Sequence, residues 1–302
     1  MKILIAGKNG QVGHALQHRL AGMGEIIAVD RQRCDLALPD AIKATLDAEQ
    51  PDIIINAAAY TAVDRAEQEP DLAMQINGVA PEILAQEAQA SGALLVHYST
   101  DYVFSGDKAG AYLESDPVAP QSSYGRSKLA GEQGIARHLS RHLILRTSWV
   151  HSEHGGNFIK TILRAAQQRD ELNIVADQVG APTSAALIAD ITAQLLIRYQ
   201  QHNQLGETPP SGFPYGCYHL AASGYTSWYE YARLLVRLAG DAGITLKATP
   251  ETVLPIPTAA YPLPARRPAN SRLDTAKLRT TFGLSLATWE DGVQQTVARL
   301  AR

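Results

Sequence analysis

The chain has 302 residues, enough to bury a full core in one large domain or two unequal lobes. Its composition is ordinary for a water-soluble globular protein, 45% hydrophobic and 19% charged, and a formal net charge of −3 with no Lys/Arg run excludes an electrostatic grip on nucleic acid. The only cysteines are Cys34 and Cys217, without CxxC or metal-ligand spacing, which fits a reducing compartment and excludes a disulfide scaffold. The apolar stretch Ile3-Leu4-Ile5-Ala6 is too short for the core of a signal peptide, and no stretch approaches a membrane span; a cytoplasmic protein with no membrane partner is expected.

Along the first half, short apolar runs alternate with helix-like segments. Ile3–Ala6, Glu25–Val29, Ile53–Ile55, Leu94–Val96 and Leu143–Leu145 read as strands apolar on both faces, as parallel strands covered by helices must be. Helices are expected to begin near Gln11, Pro39, Asp71, Ser123 and Asn157, with Pro81 marking a kink or a restart inside Ile76–Ser91. The alternation predicts an α/β fold, a doubly wound parallel sheet of Rossmann type with a smaller C-terminal α/β lobe. We expect the dinucleotide-binding domain over 1–150, with sheet and helix contributions from roughly 151–215, and the substrate lobe mainly over 216–302. In the second half, helices are expected at Asn157–Arg169, Ala185–Tyr199, Ser227–Leu238 and Trp289–Leu300. The stretch Thr208–Pro214 reads as a surface loop. Pro255–Pro268 holds five prolines, is too apolar and too basic for a simple linker, and is expected to be a binding element.

Gly7-Lys8-Asn9-Gly10-Gln11-Val12-Gly13 follows a strand and opens a helix, the context in which such loops bind a pyrophosphate. Gly7 suits the tight turn, Gly10 lets backbone approach the phosphates, and Gly13 allows close helix–strand packing. The spacing is GxxGxxG instead of the commoner GxGxxG. Asp30 ends the second strand, where an acid meets the adenosine ribose. A carboxylate there favours NADH, whereas the adjacent Arg31 favours NADPH, so the two residues leave the choice open. Asn56-Ala57-Ala58-Ala59-Tyr60-Thr61 follows the third strand and has the small residues that let a cofactor lie against backbone.

Tyr124 and Lys128 are one helical turn apart, so phenol and ammonium share a face, and Ser99-Thr100-Asp101 lies just upstream. A phenol of ordinary pKa ~10 gives up its proton near neutrality only if the phenolate is stabilised. Lys128 can do this while binding the nicotinamide ribose, and Thr100 or Ser99 can hold a carbonyl. Together these groups make carbonyl reduction the expected chemistry.

At this point the motifs match a family. GKNGQVG, NAAAYTAVDRAE, HYSTDYVF, YGRSKLAGE, LRTSWV, GAPTS, SGYTSWYEYA and PARRPANSRL cover nearly the whole chain, which resembles the extended short-chain dehydrogenase/reductases. The resemblance is to the branch that reduces the 4-keto group of a dTDP-linked 6-deoxyhexose. It implies NADPH or NADH as cofactor and a small-molecule nucleotide sugar as partner. Tyr124 would be the proton donor, Lys128 its ribose-binding partner, and Thr100 the group that orients the carbonyl, with Asp101 and Trp149 at the sugar. Gly10, Gln11, Val12, Asp30, Asp35, Leu36, Ala59, Tyr60, Thr61 and Tyr98 would line the cofactor, and Arg266, Arg267, Asn270 and Ser271 would grip the nucleotide. Some relatives form dimers that hold magnesium through glutamates. The matching positions here are Ala15, Ala186 and Arg299, so no magnesium site is expected, and the chain is expected to be a monomer or weak homodimer.

Two rivals stay open. A 4,6-dehydratase carries an Asp–Glu pair where this chain has Asp101-Tyr102, and an epimerase would show no net consumption of cofactor. A non-catalytic NADP-binding regulatory subunit would have no need of Thr100, Tyr124, Lys128 and Trp149 together.

Overall fold

The structure, a computed structural model, describes residues 1–204 and 212–302. Its centre is a six-stranded, fully parallel sheet built from β1 (Lys2–Ala6), β2 (Glu25–Val29), β3 (Ile53–Asn56), β4 (Leu94–Thr100), β5 (His142–Thr147) and β6 (Gly216–His219). The spatial order is β6-β5-β4-β3-β1-β2, so the winding reverses between β1 and β3. In such sheets ligands bind outside the carboxyl ends of the strands at that reversal. The side chains of β1 alternate between two cores. Ile3 and Ile5 pack with Leu16, Leu20, Ile188 and Leu195 on one face, while Leu4 and Ala6 pack with Ile42, Ile83, Leu84 and Ile135 on the other. Each fully buried Ile or Leu contributes roughly 1.5–3 kcal/mol.

The covering helices are α1 (Gln11–Arg19), α2 (Pro39–Glu49), α3 (Pro70–Met74), α4 (Ala80–Ser91), α5 (Ser123–His138) and, after α6 (Phe158–Gln168), which packs elsewhere, α7 (Ala185–Gln204). Between α3 and α4 the helix widens into a π turn over Gln75–Val79. Pro81 is the cause: it has no N–H to give to the carbonyl of Asn77 one turn back, and its ring crowds that turn. The expected kink or restart is therefore a widened turn from which the α-helix resumes.

A second body is formed by α6 with α8 (Trp228–Asp241) and α10 (Trp289–Leu300), around Ile159, Leu163, Tyr231, Leu235 and Val293. Leu172–Val175 pairs in parallel with Val253–Ile256, and Val179–Gly180 pairs with Thr226–Ser227. Two features were not legible in the pattern. The short helix α9 (Ala276–Phe282) spans seven residues, too few to show a periodicity. Gly216–His219 joins the main sheet beside β5, although Gly-Cys-Tyr-His carries no β-branched residue, so the sheet extends past the expected limit at 215. Of the expected loop Thr208–Pro214, residues 208–211 lie outside the described residues. Among the described residues, no helix is long and apolar enough to cross a membrane.

Candidate functional site

The glycine loop leaves β1 and enters α1 at the reversal of the sheet. Gly7 has φ +87°, and a Cβ there would lie 2.7 Å from the backbone N of Ala58, so the loop after β1 and the loop after β3 touch backbone to backbone. A Cβ on Gly13 would come 2.1 Å from the Gly7 carbonyl, so only glycine lets α1 start this close to its strand. Gly10 is the N-cap of α1 and uses no side chain for it, which leaves the first N–H groups of the helix directed at the cleft. This is a cradle a dinucleotide pyrophosphate fits. Val12 and the backbone of Gln11 belong to that helix start. The Gln11 side chain is committed elsewhere, accepting from Ser152 Oγ at 3.2 Å and Asn157 Nδ2 at 2.8 Å.

At the end of β2, Lys8 Nζ is 2.9 Å from Asp30 Oδ2 and holds that carboxyl below the usual carboxylate range. Arg31 turns to Asp35, with Nε 3.1 Å from Oδ2. Asp30 and Arg31 therefore do not oppose one another as the sequence suggested; each has its own counter-ion. Ala59, Tyr60 and Thr61 follow β3 at its carboxyl end. Tyr60 is clamped by Asn77 in the π turn, whose Oδ1 accepts from Tyr60 N at 2.8 Å and whose Nδ2 donates to Tyr60 O at 3.0 Å. Two expected cofactor contacts prove to be core side chains. Leu36 is buried with Val29 and Ile42, and the Tyr98 ring lies in the opposite core with its hydroxyl 2.7 Å from Thr192. Leu36 lies in the loop between β2 and α2 and Tyr98 within β4, and both side chains turn inward.

The catalytic candidates come from β4 and α5. Ser122 caps α5, accepting from Gly125 N at 3.1 Å, while Glu67 accepts from Ser123 N and Ser123 Oγ at 2.7 and 2.9 Å. A Cβ on Gly125 would meet the Tyr102 carbonyl at 2.3 Å, so α5 can press its first turn against the end of β4. That contact sets Tyr124 edge-on to Tyr102, ring centroids 5.5 Å apart, and beside Thr100. Thr100 Oγ1 donates to Asp101 Oδ1 at 3.0 Å and accepts from Tyr102 N at 3.2 Å. Burial pushes Tyr124 up to about 12, against the Thr100 hydroxyl, which favours the phenolate. Burial likewise pushes Asp101 up to about 6, with the Ser271 and Thr100 hydroxyls pulling the other way. Ser99 Oγ is buried without a partner.

Lys128 is 2% exposed and does not reach for Tyr124 here. Its Nζ donates to the Tyr98 carbonyl at 2.7 Å and lies 3.1 Å from His97 Nε2. The expected easing of Tyr124 by Lys128 is thus absent from this arrangement, because the ammonium position is taken up by β4 backbone and His97.

Beside these groups opens a cavity of about 720 Å³ walled by Tyr102, Phe158, Gln178, Trp228, the segment Tyr261–Ala265, Arg266 and Arg267. The proline-rich stretch is therefore one wall of a cleft. Arg267 donates from Nη2 to Asp64 Oδ2 at 2.6 Å, and its Nη1 is buried without a protein partner. Arg266 is largely exposed, 3.6 Å from Asp107. Trp149 has φ +48° and lies flat on Trp228, centroids 3.5 Å apart, with Gly180 so close that a Cβ there would overlap the indole. Ser271 stands beside Asp101. Asn270 is different: both its N–H groups go to the carbonyls of Lys108 and Gly110, at 2.7 and 2.8 Å, and its Oδ1 accepts from Arg272. It braces a turn and has no donor left for a nucleotide.

Ala15, Ala186 and Arg299 line one shallow cleft with His14, His18 and His154, and Arg299 is held by Glu153 at 2.9 Å. Among the described residues no cluster of three or more His, Cys, Asp or Glu is placed to hold a metal ion. Sequence reasoning missed Lys8, Asp64, Asn77 and His97. Lys8 was visible inside the glycine loop itself; the other three act across long sequence separations and left no local pattern.

The whole chain, residues 1–302, matches the family model described as RmlD substrate binding domain. It is 45% identical to a dTDP-4-dehydrorhamnose reductase of Escherichia coli strain K12, covering 99% of this chain and 98% of that one. Among solved structures, a dTDP-4-dehydrorhamnose reductase from Clostridium acetobutylicum superposes with a TM-score of 0.90 at 35% identity, covering all of both chains. One from Bacillus anthracis, solved in complex with NADP, superposes with a TM-score of 0.86 at 35% identity over 99% of each chain. With this fold, this cleft and these relatives, the chain belongs to the RmlD family, among the dTDP-4-dehydrorhamnose reductases.

Proposed function

We propose that the protein reduces the 4-keto group of dTDP-4-dehydro-6-deoxy-L-mannose to give dTDP-L-rhamnose, with NADPH as the reductant. The observation that carries this reading is the convergence of the Thr100 hydroxyl and the Tyr124 phenol at the carboxyl edge of the sheet, between the glycine cradle and an arginine-walled cavity. When bound, the dihydronicotinamide supplies the hydride that reaches the carbonyl carbon. Thr100, turning its one hydroxyl proton from Asp101 to the substrate, holds the carbonyl oxygen by a hydrogen bond, and Tyr124 Oη gives that oxygen its proton. A phenol at about 12 stays protonated throughout the neutral range, as a donor must. The phenolate left behind needs a cation, which is the role proposed for Lys128.

NADPH is favoured over NADH because Lys8 already neutralises the carboxylate of Asp30 that would repel a 2′-phosphate, and a relative at 35% identity was solved with NADP. The division of labour is part of the same proposal: the sheet and its loops hold the cofactor, and the later residues with the 261–267 wall hold the nucleotide sugar. Arg267 lines that cavity with Nη2 held by Asp64, and a guanidinium there suits a diphosphate by charge. Asp101-Tyr102 lacks the second acid a dehydratase needs.

The test is steady-state kinetics with purified protein, the dTDP-4-keto sugar and each nicotinamide cofactor. Stoichiometric oxidation of NADPH, with a higher kcat/KM than for NADH, is expected. Binding of NADPH without turnover would replace this reading with that of a regulatory subunit.

A further inference from the structure

The hydrogen bonds beneath Lys128 fix more than its position. The backbone N–H of Ala58 donates to Asn56 Oδ1 at 3.2 Å, and a backbone amide cannot reverse that role. The oxygen of Asn56 therefore faces Ala58, and its N–H groups face Nδ1 of His97 at 3.1 Å. Nδ1 must accept. Burial alone disfavours the charged ring and holds His97 well below the ordinary histidine range, so the ring is neutral and its single proton sits on Nε2. That Nε2–H points at Lys128 Nζ, 3.1 Å away. An ammonium there would set one N–H against another. An uncharged amine satisfies every partner, accepting from Nε2–H and donating to the Tyr98 carbonyl at 2.7 Å.

We propose that His97 is a positioning residue that, through its Nε2–H, favours the uncharged amine form of Lys128, so that Lys128 carries its full working charge only on leaving His97. The proposal rests on the reading of Lys128 as the ribose-binding cation beside Tyr124. The proton it gains comes from solvent, and no bond other than N–H forms.

The surroundings agree. The groups facing Lys128 are His97 and the Tyr98 carbonyl from β4, Asn56 behind His97 from β3, and Tyr124 and Glu132 on its own helix α5. Glu132 is the negative charge that pulls Lys128 upward, but both carboxylate oxygens are taken by Arg146 of β5, at 2.9 and 2.6 Å. Burial lowers Lys128 to about 8, with Glu132 pulling weakly upward. If the charged form is the one that engages the dinucleotide, binding is coupled to proton uptake. Affinity is then greatest below about pH 8 and falls about tenfold per pH unit above it.

Two measurements test this. The first is long-range ¹H–¹⁵N NMR of the imidazoles in the protein without added dinucleotide, with His97 assigned by its loss in His97→Gln. The Nε2–H tautomer is expected at about pH 9, where the amine form dominates; an Nδ1–H tautomer there overturns the proposal, since Nε2 would then accept from an ammonium. The second is NADPH binding, followed by fluorescence from about pH 7 to 9.5. His97→Gln offers Lys128 an amide oxygen, so its loss of affinity is expected at least about one unit higher in pH than in the wild type. Superimposable pH profiles overturn the proposal. Failure of NADPH to bind at all would instead sink the proposed function, while the tautomer measurement still decides the role of His97.

Discussion

The two sides of the cleft are built in different ways. The chemical side hangs on regular elements: Thr100 ends β4, Tyr124 and Lys128 sit one turn apart in α5, and the glycine loop joins β1 to α1. The wall facing it at 261–267 belongs to no helix or long strand and is held by single contacts reaching across the molecule. Asp64 is chief among these, accepting from Ala265 N at 3.1 Å and from Arg267 at 2.6 Å. Precision in the first case comes from backbone geometry, and in the second from a carboxylate some two hundred residues away. The first side should therefore respond to mutation in turnover, and the second in substrate binding.

The sharpest break of that contrast is Tyr124→Phe. Removing a general acid costs ~10²–10⁴-fold in kcat. The phenyl ring keeps the edge-on contact with Tyr102, so NADPH affinity and thermal stability should stay near wild type. Steady-state kinetics and cofactor titration check this; a kcat within a few-fold of wild type removes Tyr124 as proton donor.

Asp101 lies where the two sides meet, with Thr100 on one hand and Ser271 on the other. Its carboxyl stands at about 6 in the folded protein against an unperturbed 3.8, so between those values the native state binds more protons than the unfolded chain. Stability contributed by this group is thus greatest at low pH and is lost as pH rises through about 6. At ~1.4 kcal/mol per unit the full effect is roughly 2–3 kcal/mol. Asp101→Asn, which mimics the neutral acid, should be more stable than wild type in urea unfolding near pH 7.5. That advantage should shrink towards zero near pH 4. A constant difference across that range would mean that burial of the charge is not what raises Asp101.

The same contrast explains what could be read in advance. The parallel strands were visible because burial on both faces leaves unbroken Ile/Leu/Val runs, and the Tyr124–Lys128 pair because a helix turn is a local spacing. The doubly wound, Rossmann-type class followed from strand–helix alternation. What stayed hidden depends on distance or on backbone. β6 has no apolar run of its own and is a strand only because β5 offers it an edge. Leu36 and Tyr98 carry the right positions but turn their side chains into the two cores. Asn270 looked like a nucleotide ligand, yet its donors are needed by the Lys108–Gly110 turn. His97 lies one residue past the expected strand Leu94–Val96, and its place shows only from Asn56 and Lys128 at either end of its ring.

Asp64→Asn probes the tethered wall with a smaller expected effect. The asparagine keeps one oxygen for Ala265 N but sets an N–H₂ against the Arg267 guanidinium, which loses its counter-ion. Arg267 is only partly screened, its side chain being 17% exposed against 37% for Asp64, so the pair is worth less than a fully buried one. A rise in KM for the nucleotide sugar of ~3–30-fold is expected, with kcat at saturation and NADPH affinity close to wild type. Arg267→Lys keeps the charge but not the fork, and should raise KM to a similar extent. A fall in kcat at unchanged KM would place Asp64 on the chemical side of the cleft, and the division between a side set by backbone and a side set by tethers would not hold.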